Sequence, residues 1–330
     1  MQQSKRWVKV HEPVMVSEVM NFFEIEALAH LKEKALIIDA TIGGGGHTEE
    51  FLKRGINVLG IDADKQILEV AKRRLIVYLK VGRKACPSRL SRKAGLLTLV
   101  QGNFRSIEKI AHEAKFFPVD GILFDLGISS LELSDPVRGF SFQNPASPLD
   151  MRFDPTSQTV DAAILLNALR QDQLGELFSK TLPESSARYL AAKIVEKRKV
   201  AKIASVGDFL QVIGGIRELP RGTKIHPATK PFLALRMAVN SEVENLRDAI
   251  NGAFSLLKKG GRLLVISFHS EEDAVVKRFF RTLYANKEGE ILTKKPVRPT
   301  LAEIAINPRA RSARLRALKK SVEYEEKTSF

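Results

Sequence analysis

Apolar residues in this chain gather in short blocks, several of them closed by an acid or a glycine. Ala35-Leu36-Ile37-Ile38-Asp39 is an unbroken apolar run that ends in an acid, and Thr41-Ile42-Gly43-Gly44-Gly45-Gly46 follows it. A run of that length without alternation predicts a buried parallel strand entering a glycine turn. His47 to Lys53 then suits a helix, with Arg54-Gly55 as its stop signal. Ile56 to Asp62 repeats the pattern of an apolar strand ending in an acid, and a helix over about Lys65 to Leu79 follows. Leu96–Val100 and Gly121–Asp125 complete a strand–helix alternation that predicts a doubly wound parallel sheet.

The rhythm changes near residue 144. Val160–Leu169, Gln173–Lys180, Ser185–Arg198 and Gly207–Ile213 show helical spacing of apolar positions and no strand alternation. Pro231–Lys258 holds one or two more helices. Lys259-Gly260-Gly261-Arg262 then reads as a turn into the apolar strand Leu263–Ile266. The expected organisation is an α/β domain over 1–143 and 226–330, interrupted by a helical insertion at 144–225. An insertion at the carboxyl edge of a parallel sheet overhangs the crevice where open α/β sheets bind ligands.

Charge changes the picture more than overall composition does. The 53 Lys and Arg outnumber the 38 Asp and Glu, and the excess is concentrated. Val70–Ile107 carries 10 basic residues and no acid, and Lys258–Phe330 carries 17 basic against 9 acidic residues. Concentration of this kind suits a polyanion-binding surface, although a solvated basic face kept for solubility would look the same. Arg309, Arg311, Arg314 and Arg316 alternate with smaller or apolar residues. On a strand, that period of two lines guanidinium groups along one face, which favours nucleic acid as the partner. No apolar run is long enough for a membrane helix. The single cysteine, Cys86, allows no internal disulfide, which fits a reducing cytoplasm.

The glycine loop carries the most specific chemistry. Asp62, 17 residues past Gly45, can accept hydrogen bonds from both ribose hydroxyls of an adenosine ligand. A dinucleotide fingerprint wants a third small residue where Thr48 stands. An acid such as Asp39 also sits badly beside a pyrophosphate, yet it suits the cationic amino acid end of S-adenosylmethionine.

Several segments together resemble the ribosomal RNA small subunit methyltransferase H family, also called MraW. They are His11-Glu12-Pro13-Val14, Asp39 to His47, Asp125-Leu126-Gly127-Ile128-Ser129-Ser130, Arg138 to Phe142 and Pro148 to Arg152. His226-Pro227-Ala228-Thr229, Ala234-Leu235-Arg236, Val239-Asn240, Ser267 to Ser270 and Asn307 to Ser312 continue in the family's order. The resemblance implies a class I S-adenosylmethionine-dependent methyltransferase with a Rossmann-like sheet. Its expected reaction is methylation of the N(4) amino group of a P-site cytidine (cytidine 1402 in the usual rRNA numbering) of 16S rRNA in the small ribosomal subunit.

The family's cofactor contacts map onto Gly45, Gly46, His47, Asp62, Phe104 and Asp125. Glu132 stands where the family usually has glutamine, and an ionised glutamate accepts but cannot donate. Asp125 and Ser129 are candidate catalytic groups, with a capped turn as the plain alternative for Ser129. Arg138, Arg152, Arg309, Arg311 and Arg314 are candidate RNA contacts. Phe140 and Phe142 suit either base stacking or a core. His269 before Glu271, Glu272 and Asp273 reads as a helix cap rather than a metal site. The resemblance leaves a homodimer open. The chain departs from the family in lacking a tyrosine–glycine–glutamate–glutamate segment near Leu182–Ser185, in Leu233, and in the extended basic stretch at 72–93. Competing readings are an RNA-binding assembly factor with a vestigial cofactor pocket, a methyltransferase of another substrate, and an NAD-dependent oxidoreductase.

Overall fold

The computed structural model describes residues 13–31, 33–79, 94–214 and 226–324. Seven strands form one sheet: β1 (Leu36–Asp39), β2 (Asn57–Asp62), β3 (Leu97–Gln101), β4 (Val119–Asp125), β5 (Leu257–Ser267), β6 (Gly289–Ile291) and β7 (Arg314–Lys320). Their order is β3-β2-β1-β4-β5-β7-β6. β1 to β5 pair in parallel, whereas β7 runs antiparallel to both β5 and β6. The chain order reverses between β1 and β4, so the loops after these two strands face each other at the switch point where such sheets bind ligands. Ile37, Ile38, Val58, Leu59, Ile122, Leu123 and Phe124 are all fully buried. Burial on both sheet faces is why these strands read as continuous apolar runs.

Two of the flanking helices end where local chemistry dictates. Helix Gly46–Lys53 buries Phe51 and Leu52 and closes at Gly55, whose φ of 87° lies in the left-handed region. Helix Lys65–Arg74 starts at Asp64, whose carboxylate accepts the amide protons of Gln66 and Ile67. It stops at Arg74, short of the expected Leu79, because Ile76–Tyr78 tightens into a 3-10 turn. The basic stretch expected at 72–93 runs on from there into residues that lie outside the described ones.

Two further expectations are corrected. Lys259–Arg262 is not a turn between separate elements but part of β5, where the pairing to β4 shifts register between Val119 and Gly121. Gly260, at φ 81°, absorbs that irregularity. The C-terminal arginines do not share one strand either. Arg309 and Arg311 lie in a 3-10 turn, Pro308–Ser312, and only Arg314 and Arg316 belong to β7. Flanked by β5 and β6, β7 is an interior strand that buries Leu315, Ala317 and Leu318, so its pattern reports sheet packing and not an open guanidinium face.

The chain divides into two compact units, residues 1–127 with 243–330 and residues 128–242. The second extends beyond the expected 144–225 at both ends. Its core takes Phe140 from one flank and Ala228, Phe232, Leu235 and Val239 from the other. These pack with Leu166, Phe178, Leu190, Ile194 and Phe209 from helices Ala162–Ala168, Gln171–Ser179, Glu184–Val200 and Val206–Gly214. Helix Thr229–Asn240 closes at Ser241 in the left-handed conformation, and helix Glu242–Leu256 leads back into the sheet unit. Among the described residues no helix is long and apolar enough to cross a membrane.

Candidate active site

The loop after β1 is shaped by what surrounds each glycine. Gly45 sits at φ 79°, and a Cβ there would come within 2.7 Å of the Leu75 side chain. A Cβ on Gly46 would come equally close to the ring of Pro13. A side chain at either position would push the loop off its neighbours. Gly43, at φ 51°, has an open flank, where a Cβ would meet only the Thr41 carbonyl at 3.9 Å.

Three acids end three adjacent strands at this edge. Asp39 closes β1 with 1% exposure. Its Oδ2 accepts the Thr48 hydroxyl at 2.6 Å and its Oδ1 the Thr41 amide at 3.4 Å. Burial drives its pKa up to about 6, against the lowering pull of these two bonds. Thr48 thus orients Asp39 inside the loop. Asp62 closes β2. Its Oδ2 accepts the Gly43 amide at 3.0 Å and its Oδ1 the Asp64 amide at 2.9 Å. Burial, reinforced by the charges of Asp64 and Asp39, raises its pKa to about 7 despite those bonds.

Asp125 closes β4, and the Thr41 hydroxyl accepts its backbone N–H at 2.7 Å. Its Oδ1 is shut off from solvent with no hydrogen-bond partner among the described residues. Burial first, then the charges of Asp39 and Glu272, push its pKa well above the usual carboxylate range. His47 is the basic side chain within reach, with Nδ1 3.6 Å from Asp125 Oδ2. The other ring nitrogen, Nε2, donates to the Val14 carbonyl at 2.9 Å, since a carbonyl can only accept. Attraction between Nδ1 and Oδ2 therefore needs a proton between them, on the ring or on the carboxyl. The His47 side chain is buried, so it braces Asp125 against the segment that holds Val14.

Phe104 opens a 3-10 turn after β3 and sets its ring edge-on to Phe124 at 5.7 Å. His269 caps helix Ser270–Ala285 in a capping box with Glu272, as its sequence position predicts.

The 128–242 unit holds the remaining candidates. Ser129 is the N-cap of helix Ser130–Ser134: its Oγ accepts the Glu132 amide at 3.2 Å, and Glu132 Oε2 accepts the Ser129 amide at 2.7 Å. This is the capped turn, and it gives both side chains a local structural role. Arg138 is only 6% exposed. Its Nη2 donates to the carbonyls of Arg152 at 2.7 Å and Phe153 at 3.1 Å, and its guanidinium lies over the Phe140 ring. Arg152 forms a bidentate pair with Asp150, at 2.8 and 2.7 Å, and donates to the Gln158 carbonyl. Neither arginine is presented to a phosphate. Phe140 is core, and Phe142 stacks on His226 with ring centroids 4.5 Å apart.

Residues 8–321 match the model of the MraW methylase family. The chain belongs to that family. A ribosomal RNA small subunit methyltransferase H of Thermomicrobium roseum is 41% identical over 93% of this chain and 92% of that protein. Proteins of the same name from Methylacidiphilum infernorum (40% identical, 98% of each chain) and Persephonella marina (39% identical, 94% of this chain and 99% of that protein) are similarly close. The open, mostly parallel sheet described above is the scaffold on which this methylase carries its site.

The strand-end residues of this methylase fit its methyl donor. A carboxylate offers about four acceptor positions, so Asp62 keeps one open on each oxygen after binding the two backbone amides. The open flank of Gly43 lies beside it, and the unpartnered Oδ1 of Asp125 suits a hydrogen-bond donor or a cation. The sequence motifs gave Thr41 and Thr48 no part in positioning an acid, because a hydroxyl that does so is indistinguishable in sequence from a loop threonine.

Proposed function

We propose that this chain methylates the N(4) amino group of a P-site cytidine in 16S rRNA of the small ribosomal subunit, in the cytoplasm. The Asp62 carboxylate would hold the ribose hydroxyls of S-adenosylmethionine, with Gly45, Gly46, His47, Phe104 and Asp125 as its further contacts. The single observation that carries the reading is the buried, unpartnered Oδ1 of Asp125 at the switch point of the sheet.

When bound, S-adenosylmethionine supplies a methyl group already activated on a sulfonium. What remains for the protein is to align the acceptor and manage its proton. Alignment can lower a barrier by about 7–11 kcal/mol. The amino nitrogen of cytosine is a poor nucleophile because its lone pair is delocalised into the ring. Asp125 Oδ1, accepting an N–H of that group, localises the pair and takes the charge that develops. His47 holds the second oxygen of the same carboxyl. Ser129, engaged as a helix cap, is left out of the proton path.

Mass spectrometry of 16S rRNA from a strain lacking the gene tests the assignment. Loss of N(4)-methylation at the P-site cytidine, restored by the wild-type gene, is the expected result; unchanged modification overturns it. Calorimetric titration with S-adenosylmethionine separates an enzyme from an RNA-binding factor with a vestigial pocket, which would give no heat of binding. A homodimer belongs to the same proposal as an expectation for sedimentation.

A further inference from the structure

Three of the RNA contacts expected from sequence, Arg138, Arg152 and Arg314, fall on arginines that the fold has already used. Arg138 and Arg152 are committed within their own unit, and Arg316 forms a bidentate pair with Asp273 at 2.7 and 3.1 Å. Arg314 also lies within 3.8 Å of Asp273. Arg311, also expected from sequence, and three cations that the sequence reading did not single out are uncommitted. Lys294, Lys295, Arg298 and Arg311 are exposed, and among the described residues no carboxylate oxygen lies within 4 Å of any of them. The nearby acid Glu303 turns away, its Oε1 accepting the Met15 amide at 2.7 Å.

Register fixes where these cations stand. Asp125 pairs with Ile266, Ile266 with Leu315, and Leu315 bridges Val297 through two hydrogen bonds of 3.0 and 2.9 Å. One row of residues thus crosses the sheet from the candidate acceptor to Val297, the residue before Arg298. Three inter-strand spacings place that end of the row about 14 Å from Asp125, on the same carboxyl edge of the sheet. Because β7 runs antiparallel, it begins at this edge, and the 3-10 turn bearing Arg311 feeds directly into it.

We propose that Lys294, Lys295, Arg298 and Arg311 form a phosphate-binding surface for the RNA strand whose target base reaches Asp125. The proposal rests on the reading of the chain as an RNA methylase. Cations that touch phosphates position the strand without reading its sequence, so the surface acts equally on any RNA. Sequence choice must come from elsewhere.

The test measures binding of a short labelled RNA carrying the P-site cytidine, and of a scrambled RNA of the same length, to the full-length wild type and to the triple variant Lys294→Gln, Lys295→Gln, Arg298→Gln. Each lost phosphate contact removes about 0.7 from the slope of log affinity against log salt for a single strand. The slope should therefore shrink by about 2, with affinity at moderate salt falling about tenfold or more for both RNAs alike. Affinity for S-adenosylmethionine should stay at the wild-type value, which certifies the fold. An unchanged slope with intact cofactor binding overturns the proposal, and so does a loss confined to the P-site RNA. If the wild type binds RNA through these residues but leaves the P-site cytidine unmodified, the function assigned above fails and the phosphate surface stands.

Discussion

Asp125 in the sheet unit and Asp150 in the helical unit are both acids beside a basic side chain, and the fold treats them in opposite ways. Burial pushes the Asp150 carboxyl up, but the two side-chain bonds and the backbone bond from Arg152 outweigh it and hold its pKa below the usual value. Arg236 and Glu242 form a second bidentate pair, with two bonds of 2.7 Å. Among the described residues Asp125 has His47 at 3.6 Å and one oxygen with no partner, and burial, then two further acids, raise its pKa. A satisfied ion pair stiffens a scaffold, whereas an acid kept short of partners retains binding capacity for a ligand. The acids short of partners end strands β1, β2 and β4, whereas Asp150 and Glu242 brace the helical unit.

The largest expected effect comes from removing the acceptor where it is short of partners. Asp125→Asn keeps the shape of the side chain but replaces a proton-accepting carboxylate with an amide. Single-turnover methyl transfer to small-subunit particles should slow by about 10²–10⁴-fold, the usual range for a positioned acid–base group. The variant should fold at least as stably as the wild type, because it no longer buries an ionisable group. A rate within threefold of wild type at saturating S-adenosylmethionine (a threshold of order RT in barrier height) would leave Asp125 as a cofactor contact only.

The opposite treatment of the helical unit predicts the opposite phenotype. Arg138→Ala strands the carbonyls of Arg152 and Phe153 and removes the guanidinium packed over Phe140. Loss of a buried charged donor of this kind costs about 2–4 kcal/mol. Urea unfolding should show that loss, while the salt slope of RNA binding by the folded variant stays at its wild-type value. Wild-type stability with a shallower salt slope would put Arg138 back among the RNA contacts and erase the distinction between the two regions.

These roles differ in how far the sequence reveals them. The strand-end acids were legible because a buried parallel strand leaves an unbroken apolar run, and whatever charge follows must stand at the sheet edge. The pairing of Arg152 with Asp150 was not, since an arginine in a short motif looks alike whether it meets a phosphate or a carboxylate two residues away. The run from Arg309 to Arg316 was misread as one strand: its spacing is two within Arg309/Arg311 and within Arg314/Arg316 but three between the pairs, and a spacing of two is shared by an exposed edge and by a strand flanked on both sides. What decides between them is β6 and the bridge from Val297, contacts made across the chain and invisible to local spacing. Lys294, Lys295 and Arg298 stood unnoticed for the same reason, having no pattern of their own and gaining meaning only from the row that joins Val297 to Asp125.

The smallest effect is also the most diagnostic of shortage at the strand ends. Burial raises Asp39 to about 6 and Asp62 to about 7, both above the ordinary 3.8, and shifts Asp125 in the same direction. The folded protein therefore holds more protons than the unfolded chain between 3.8 and these values. By linkage, the stability this contributes is fully present below the unfolded pKa and is lost as pH rises through about 6 to about 7. Ligand binding has the reverse sign. Ribose hydroxyls donate to an ionised Asp62, and a cationic ligand favours ionised Asp125, so S-adenosylmethionine should displace protons. Its affinity should rise with pH between about 5.5 and about 7.5, approaching tenfold per pH unit for each proton displaced. Calorimetry in two buffers of different ionisation enthalpy counts those protons directly. Asp62→Asn should bind more weakly at every pH and lose the part of the rise nearest neutrality, while Asp150→Asn should leave the profile untouched. A flat wild-type profile would mean that the acids at the sheet edge are as well satisfied as the one beside Arg152.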